Sequence, residues 1–174
     1  LPGSFAPRKG FSAVSLSSQC EEEDRNMARA PFQVLVYPYR KTNHGQIEYA
    51  LLRRSDEGYW QGIAGGGEGE EKPLEAARRE TCEESGIPPV SKFIQLDTVE
   101  PVPVTEFRDS HLWGDNVYVI PQYCFGVTGE NLQITISREH TEYKWFSYEE
   151  AYKLIKYDGN KTALWELDQR LKGR

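Results

Sequence analysis

The sequence predicts an α/β domain in which a mixed β-sheet lies between layers of helix, an α/β/α arrangement. Three observations predict it: stretches rich in β-branched and aromatic residues alternate irregularly with helical stretches, no internal repeat is present, and 174 residues suffice for one domain with a real core. Charged residues make up 28% of the chain and hydrophobic ones 38%, ordinary values for a soluble globular protein. No apolar run approaches the roughly twenty residues of a membrane helix, so no membrane partner is expected. The formal net charge of -6 argues against general nucleic-acid binding, which needs a basic face. An acidic protein can still take a polyphosphate when divalent ions neutralise its carboxylates. Cys20, Cys82 and Cys124 are odd in number and lack paired spacing. They indicate neither a zinc site nor a disulfide framework, so a reducing cytoplasmic setting is the default.

Residues 1–26 differ from the rest, with Pro, Gly, Ser and Ala, the basic pair Arg8-Lys9 and an acidic knot from Glu21 to Asp24. Met27 fits a native start. The leader before it reads either as foreign to the domain or as a natural extension, its part up to Gln19 being Ser-rich and acid-free like a transit peptide. The domain proper is therefore expected over 27–174. Phe32 to Tyr39 and Ile47 to Arg53 have the composition of strands, joined by a turn over Lys41 to Gln46. Gly58 to Ile63 leads into a glycine loop, and a helix is expected from Pro73 to Ser85. Proline suits a first helical position, and Gly86 followed by Pro88 and Pro89 ends the helix. Further strands are expected from Phe93 to Val102, Asn116 to Val127, Ile134 to Ile136 and Tyr143 to Phe146. Two amphipathic helices, Tyr148 to Lys156 and Asn160 to Leu171, complete the domain.

The chemistry concentrates between Gly65 and Ile87. On the expected helix Glu80, Glu83 and Glu84 are related by i, i+3 and i+4, so their carboxylates crowd one face. Like charges there repel, and a divalent cation accounts for the cluster. Oxygen ligands of this kind suit Mg²⁺ or Mn²⁺. A solvated glutamate face is the rival reading of any such triplet, and the glycines and Arg79 at fixed offsets weigh against it. Gly65, Gly66, Gly67 and Gly69 lack Cβ atoms and leave room for a phosphate or a metal.

The order Gly65, Glu71, Arg79-Glu80, Glu83-Glu84 and Gly86 resembles the box of the Nudix hydrolases at all seven positions. If each residue type is used at about 7 per cent, such a match arises by chance on the order of once per million chains of this size. The resemblance implies the Nudix fold, a metal-binding backbone carbonyl at Ala64 and an Arg79 that orients Glu80. One position departs from the pattern: Thr81 stands where the family prefers an aliphatic residue, so slightly weaker packing with intact chemistry is expected.

Outside the box, Arg53 and Arg54 end the second strand and can hold phosphate oxygens. They point opposite ways on a strand, and ordinary solvated arginines are the alternative. Trp60 suits either stacking on a base or packing in the core, and Gln61 can read a base edge or support the loop. A Trp-Gln pair before the glycine loop resembles Nudix enzymes acting on dihydroneopterin triphosphate. Arg138 to Trp145 and the acidic helix start after it look like both those enzymes and the diadenosine tetraphosphate hydrolases. By that resemblance Glu139 reaches the metal site as ligand or base, with Glu142 a weaker candidate and His140 structural. Phe107 to Asp115 is expected to cover the substrate, with Arg108 or His111 in contact.

Together these readings imply a Mg²⁺-dependent pyrophosphohydrolase, monomer or homodimer, that cleaves a small nucleoside-diphosphate-linked substrate. A nucleoside or pterin triphosphate, cut to monophosphate and pyrophosphate, is the expectation. A dinucleoside polyphosphate is the rival substrate, and a catalytically silent nucleotide-binding module the rival class. Glu80, Glu83, Glu84 and Glu139 stay open as ligands or base. Gly65, Gly66, Arg53, Trp60 and Gln61 are the candidate substrate contacts.

Overall fold

The computed structural model describes residues 28–129 and 132–173. The expected leader and its boundary at Met27 lie outside the described residues. In chain order the elements are β1 (Arg29–Lys41), β2 (Ile47–Arg54), β3 (Trp60–Gln61), β4 (Ile63–Glu68), α1 (Pro73–Ser85), β5 (Lys92–Pro103), β6 (Val119–Thr128), β7 (His140–Phe146), α2 (Tyr148–Leu154) and α3 (Asp158–Leu171). The strands form one sheet along the path β3-β2-β1-β6-β5, with β4 also paired to β1 and β7 to β2. β1 and β6 run parallel and the other strand pairs antiparallel, so the sheet is mixed.

β1 organises the domain because its run VLVY is apolar at every position. Alternation sends Val34 and Val36 to one face and Leu35 and Tyr37 to the other, and all four are completely buried. On the first face they meet Ala76, Ala77 and Ile87 of α1 and its exit; on the second they meet Ala151, Ile155, Ala163, Leu164 and Leu167 from the α2–α3 region. Helices therefore cover both faces, the α/β/α layering that the alternation of elements predicts. Each fully buried aliphatic side chain here stabilises the fold by roughly 1.5–3 kcal/mol. The buried phenols find partners: the Tyr37 hydroxyl donates to the Asn160 carbonyl at 2.9 Å, and that of Tyr49 to Asp168 Oδ1 at 2.9 Å.

Helix α1 has the limits its end residues predict. The Lys72 N–H donates to Glu75 Oε2 at 2.8 Å. At the other end Gly86 adopts φ 68°, in the left-handed region, and its N–H donates to the Cys82 carbonyl at 2.8 Å. Two expectations fail. No strand forms over Ile134 to Ile136: the Thr135 and Ser137 N–H groups donate to the Ser85 and Glu84 carbonyls at 2.9 and 3.1 Å. The open C-terminal end of α1 satisfies this backbone in place of a neighbouring strand. The strand expected from Asn116 begins at Val119, because the chain before it is still turning. Cys124 is a free buried thiol.

Thr81, the departure from the aliphatic pattern, is fully buried and its Oγ1 has no hydrogen-bond partner. An unpaired buried hydroxyl costs about 1–3 kcal/mol. Thr81→Val is therefore expected to raise the thermal midpoint by about 2–4 °C for each kcal/mol recovered. A midpoint that stays or falls in differential scanning calorimetry would show that the hydroxyl is satisfied.

Candidate active site

The site begins where β4 runs into the glycine loop and α1. Ala64, Gly65 and Gly66 pair with Leu35, Val34 and Gln33 of β1, which fixes them on the rigid sheet. A Cβ on Gly65 would lie 1.9 Å from Glu80 Cδ, so only glycine lets the α1 carboxylate come against the β4 backbone. Behind this contact Arg79 acts as a hub. Its Nε and Nη2 clasp the Glu71 carboxylate at 2.9 Å each, Nη1 donates to Glu80 Oε1 at 2.9 Å and Glu83 Oε2 at 3.2 Å, and Nη2 reaches the Gly66 carbonyl at 2.8 Å. Burial pushes Glu71 up, but the clasp of Arg79 outweighs it and holds the carboxyl below its usual range.

Glu80 and Glu84 form a carboxylate ledge. Burial, with added repulsion from Glu83 and Glu139, pushes Glu80 up to about 7 despite the opposing Arg79. Glu84 is 4% exposed. Burial first, then the charges of Glu80 and Glu139, raise it well above the carboxylate range, against a hydrogen bond from the Ala64 N–H. Its Oε2 has no hydrogen-bond partner and lies 3.6 Å from His140 Nε2, whose ring nitrogens are likewise unpartnered. Glu139, on the loop into β7, is near enough for its charge to raise both Glu80 and Glu84, and its carbonyl accepts the Ser55 N–H at 2.9 Å.

This donor set fits a hard divalent cation: the oxygens are carboxylate, they raise one another's pKa, and one buried oxygen is orphaned. Among the described residues no three His, Cys, Asp or Glu side chains already form a metal-holding group. Arg79 accounts for part of this, since it draws Glu80 and Glu83 towards itself. Mg²⁺ also commonly binds through one or two carboxylates together with waters and phosphates, without a complete protein cage.

The ledge opens on a cleft of about 960 Å³. Of the residues singled out in the sequence, Gln61, Ala64, Gly65, Gly66, Glu80, Glu84 and Glu139 line it, with Arg54 and Arg108. Glu83 sits at the exposed rim, its side chain 46% accessible. Arg53 is not in the cleft: it is exposed and tied to the Gly58 carbonyl at 2.9 Å and Glu142 at 3.1 Å. The register of β2 on β7 shifts between Arg53 and Arg54, and it is Arg54, paired with Asp56, that turns inward. Trp60 is not in the cleft either. Its ring packs edge-on against Phe146 at 5.2 Å, beside the core under α2 and α3, with Lys144 over it. Trp60→Ala is accordingly expected to cost about 2 kcal/mol of stability, less than the 3–5 of a fully buried ring, while leaving KM unchanged. Chemical denaturation and steady-state kinetics check this, and a raised KM at unchanged stability would return the ring to the substrate.

The sequence reading passed over Arg29, Gln33, Gln122 and Asn160, which line the other side of the cleft. Gln33 and Gln122 interrupt apolar strands, and that interruption was the available signal.

Comparison with known proteins follows this geometry. The NUDIX domain model matches residues 31–166. A bis(5'-nucleosyl)-tetraphosphatase [asymmetrical] of Mus musculus is 31% identical over 134 residues, 75% of this chain and 85% of that protein. A dihydroneopterin triphosphate diphosphatase of Escherichia coli (strain K12) is 29% identical over 140 residues, 78% of this chain and 91% of that protein. A solved structure of a candidate NUDIX hydrolase from Listeria monocytogenes str. 4b F2365 superposes with a TM-score of 0.74 at 41% identity, covering 82% of this chain and 95% of that one.

Proposed function

The chain belongs to the NUDIX family and is a hydrolase acting on phosphoanhydride bonds, and on that premise we propose that it is a metal-dependent pyrophosphohydrolase of nucleoside or pterin triphosphates, releasing the monophosphate and pyrophosphate. The observation that carries this reading is that the buried Glu80–Glu84 ledge and Glu139 line one cleft, large enough for a nucleotide, in which their charges act on one another. Ala64, through its carbonyl, Glu80, Glu83, Glu84 and Glu139 would hold Mg²⁺ or Mn²⁺, which when bound stabilises charge on phosphate oxygens and acidifies a water. Arg79 fixes one oxygen of Glu80, and Glu84 keeps a buried oxygen without a partner, which suits both to serve as ligands. Glu139 is exposed to the cleft, which suits it to accept the proton of the attacking water. Gly65 and Gly66 line the cleft as candidate substrate contacts and let the Glu80 carboxylate and the Arg29 guanidinium come against their backbone. The acidic chain and the enclosed cleft support a small-molecule substrate and not a nucleic acid. Among the described residues no helix is long and apolar enough to cross a membrane.

A dinucleoside polyphosphate is the second reading, supported by the 31% identity to the mouse tetraphosphatase. A panel of nucleoside triphosphates, a pterin triphosphate and diadenosine tetraphosphate, assayed with Mg²⁺ and with chelator, separates the two. Metal-dependent release of pyrophosphate from triphosphates is expected. Much faster cleavage of diadenosine tetraphosphate would select the second reading, and binding without turnover would leave a nucleotide-binding module.

A further inference from the structure

Four strands of the sheet contribute one transverse row to the cleft. Gln33 of β1 is paired with Gly66 of β4 and with Gln122 of β6, and Gln122 is paired with Glu100 of β5. At the β5 end the row meets the start of α3, where Glu100 lies so close that a Cβ on Gly159 would be 2.0 Å from its Cδ. All these residues, with Asn160, line the cleft.

The hydrogen bonds along the row have a fixed direction. Arg29 Nη2 donates to Gln33 Oε1 at 3.5 Å, Gln33 Nε2 to Gln122 Oε1 at 3.1 Å, and Gln122 Nε2 to Asn160 Oδ1 at 2.8 Å. Asn and Gln amides can ordinarily be turned either way. Here an arginine, which can only donate, stands at one end and sets the sense of every amide after it. Each amide oxygen already accepts one hydrogen bond within the row and keeps a single lone pair, while the second hydrogen of each Gln amide and both hydrogens of the Asn160 amide are uncommitted, so the row offers more donors than acceptors. Glu100 adds a carboxylate acceptor at the end of the row. Gln122 and Asn160 are 4% and 7% exposed, so their geometry is held by packing and not by solvent.

We propose that this row is the heterocycle-reading subsite of the pyrophosphohydrolase described above, and that it selects a ring with a carbonyl beside a ring N–H and an amino group. The carbonyl takes the spare amide hydrogens of Gln122 and Asn160, and the N–H groups go to Glu100. The 2-amino-4-oxopyrimidine edge shared by guanine and pterin has this pattern. Adenine presents an amino group where the carbonyl should be and leaves the amide donors facing another donor. A buried polar group left without its partner is what makes such a site discriminate. The inference rests on the triphosphatase reading, and it replaces Trp60 as the source of base recognition.

The test pairs binding with turnover. Calorimetric titration of GDP and ADP against the full chain in Mg²⁺ needs no catalysis, and GDP is expected to bind about 10- to 100-fold more tightly. With turnover, kcat/KM for GTP should exceed that for ATP by a similar factor carried by KM, with ITP, which lacks the amino group, in between. Glu100→Gln should bring GTP down to the level of ITP, and Gln122→Met and Gln33→Met should shrink the GTP to ATP ratio towards unity. Glu100 is partly exposed, so its variant keeps the proposal testable if Gln122→Met does not fold. A dihydroneopterin triphosphate preferred over GTP would make the ring a pterin; GTP preferred would make it guanine. Equal affinity for GDP and ADP, or a ratio unchanged in Glu100→Gln and Gln33→Met, overturns the proposal. Selective GDP binding with no hydrolysis of any triphosphate would instead overturn the triphosphatase reading and leave the subsite standing.

Discussion

Replacing Glu84 by Gln is expected to lower kcat by at least about a hundredfold and to make the metal-free protein more stable. The amide fills the same buried space as the carboxyl, so the fold has no reason to change. It lacks the charge that a divalent cation needs, and metal sites that lose a charged ligand lose most of their rate. The gain in stability follows from the same burial. Glu84 is almost inaccessible and its charged form is opposed by burial and by Glu80 and Glu139, so without a cation the carboxylate is a net cost that the neutral amide avoids. Initial rates in Mg²⁺ and melting in chelator measure the two effects separately. Near wild-type turnover would remove Glu84 from the mechanism, and a lower melting point in chelator would mean that its charge is paired.

Arg79→Met should act in the opposite sense on stability and the same sense on rate. The guanidinium is 21% exposed and bonds three carboxylates and the Gly66 carbonyl. Removing it leaves those groups facing one another. Breaking a buried ion pair from one side costs about 3–5 kcal/mol; partial exposure places the expected loss nearer 2–4. Turnover should fall about a hundredfold because Glu80 loses the contact that aims it. Arg79→Lys should recover little of either, since a single ammonium cannot clasp Glu71 with two parallel bonds while reaching Glu80. Urea unfolding and steady-state kinetics provide the check: a Lys variant close to wild type would reduce Arg79 to a generic positive charge.

The parts of this fold that could be read from the sequence are those set by local backbone chemistry. Pro73 and Gly86 bracket α1 because one lacks an N–H that the first turn does not need and the other tolerates positive φ. Glu80 and Glu84, one turn apart on α1, come to the cleft for the same local reason, while Glu83 stays exposed beside them. Arg53 and Trp60 lie outside the cleft: Arg53 precedes a register shift of β2 against β7, and Trp60, paired with it on β3, packs on Phe146 of that distant strand, so both placements depend on residues far along the chain. The segment from Ile134 to Ile136 has strand composition but meets the end of a helix where a strand would need a neighbouring edge. Gln33 and Gln122 each interrupt an apolar strand, but that they stand side by side follows from the parallel pairing of β1 with β6, a contact between distant parts of the chain.

The two sides of the cleft differ in how they are encoded. The ledge and its clasp come from one continuous piece, residues 63–85, whereas the amide row is gathered from β1, β5, β6 and α3. A substitution in the row leaves the loop-and-helix piece intact, so preference for one ring over another can drift without passing through a catalytically dead intermediate. The reverse does not hold: the Arg79 clasp reaches the Gly66 backbone, and Gly66 is paired with Gln33, so damage to the hydrolytic piece spreads into recognition.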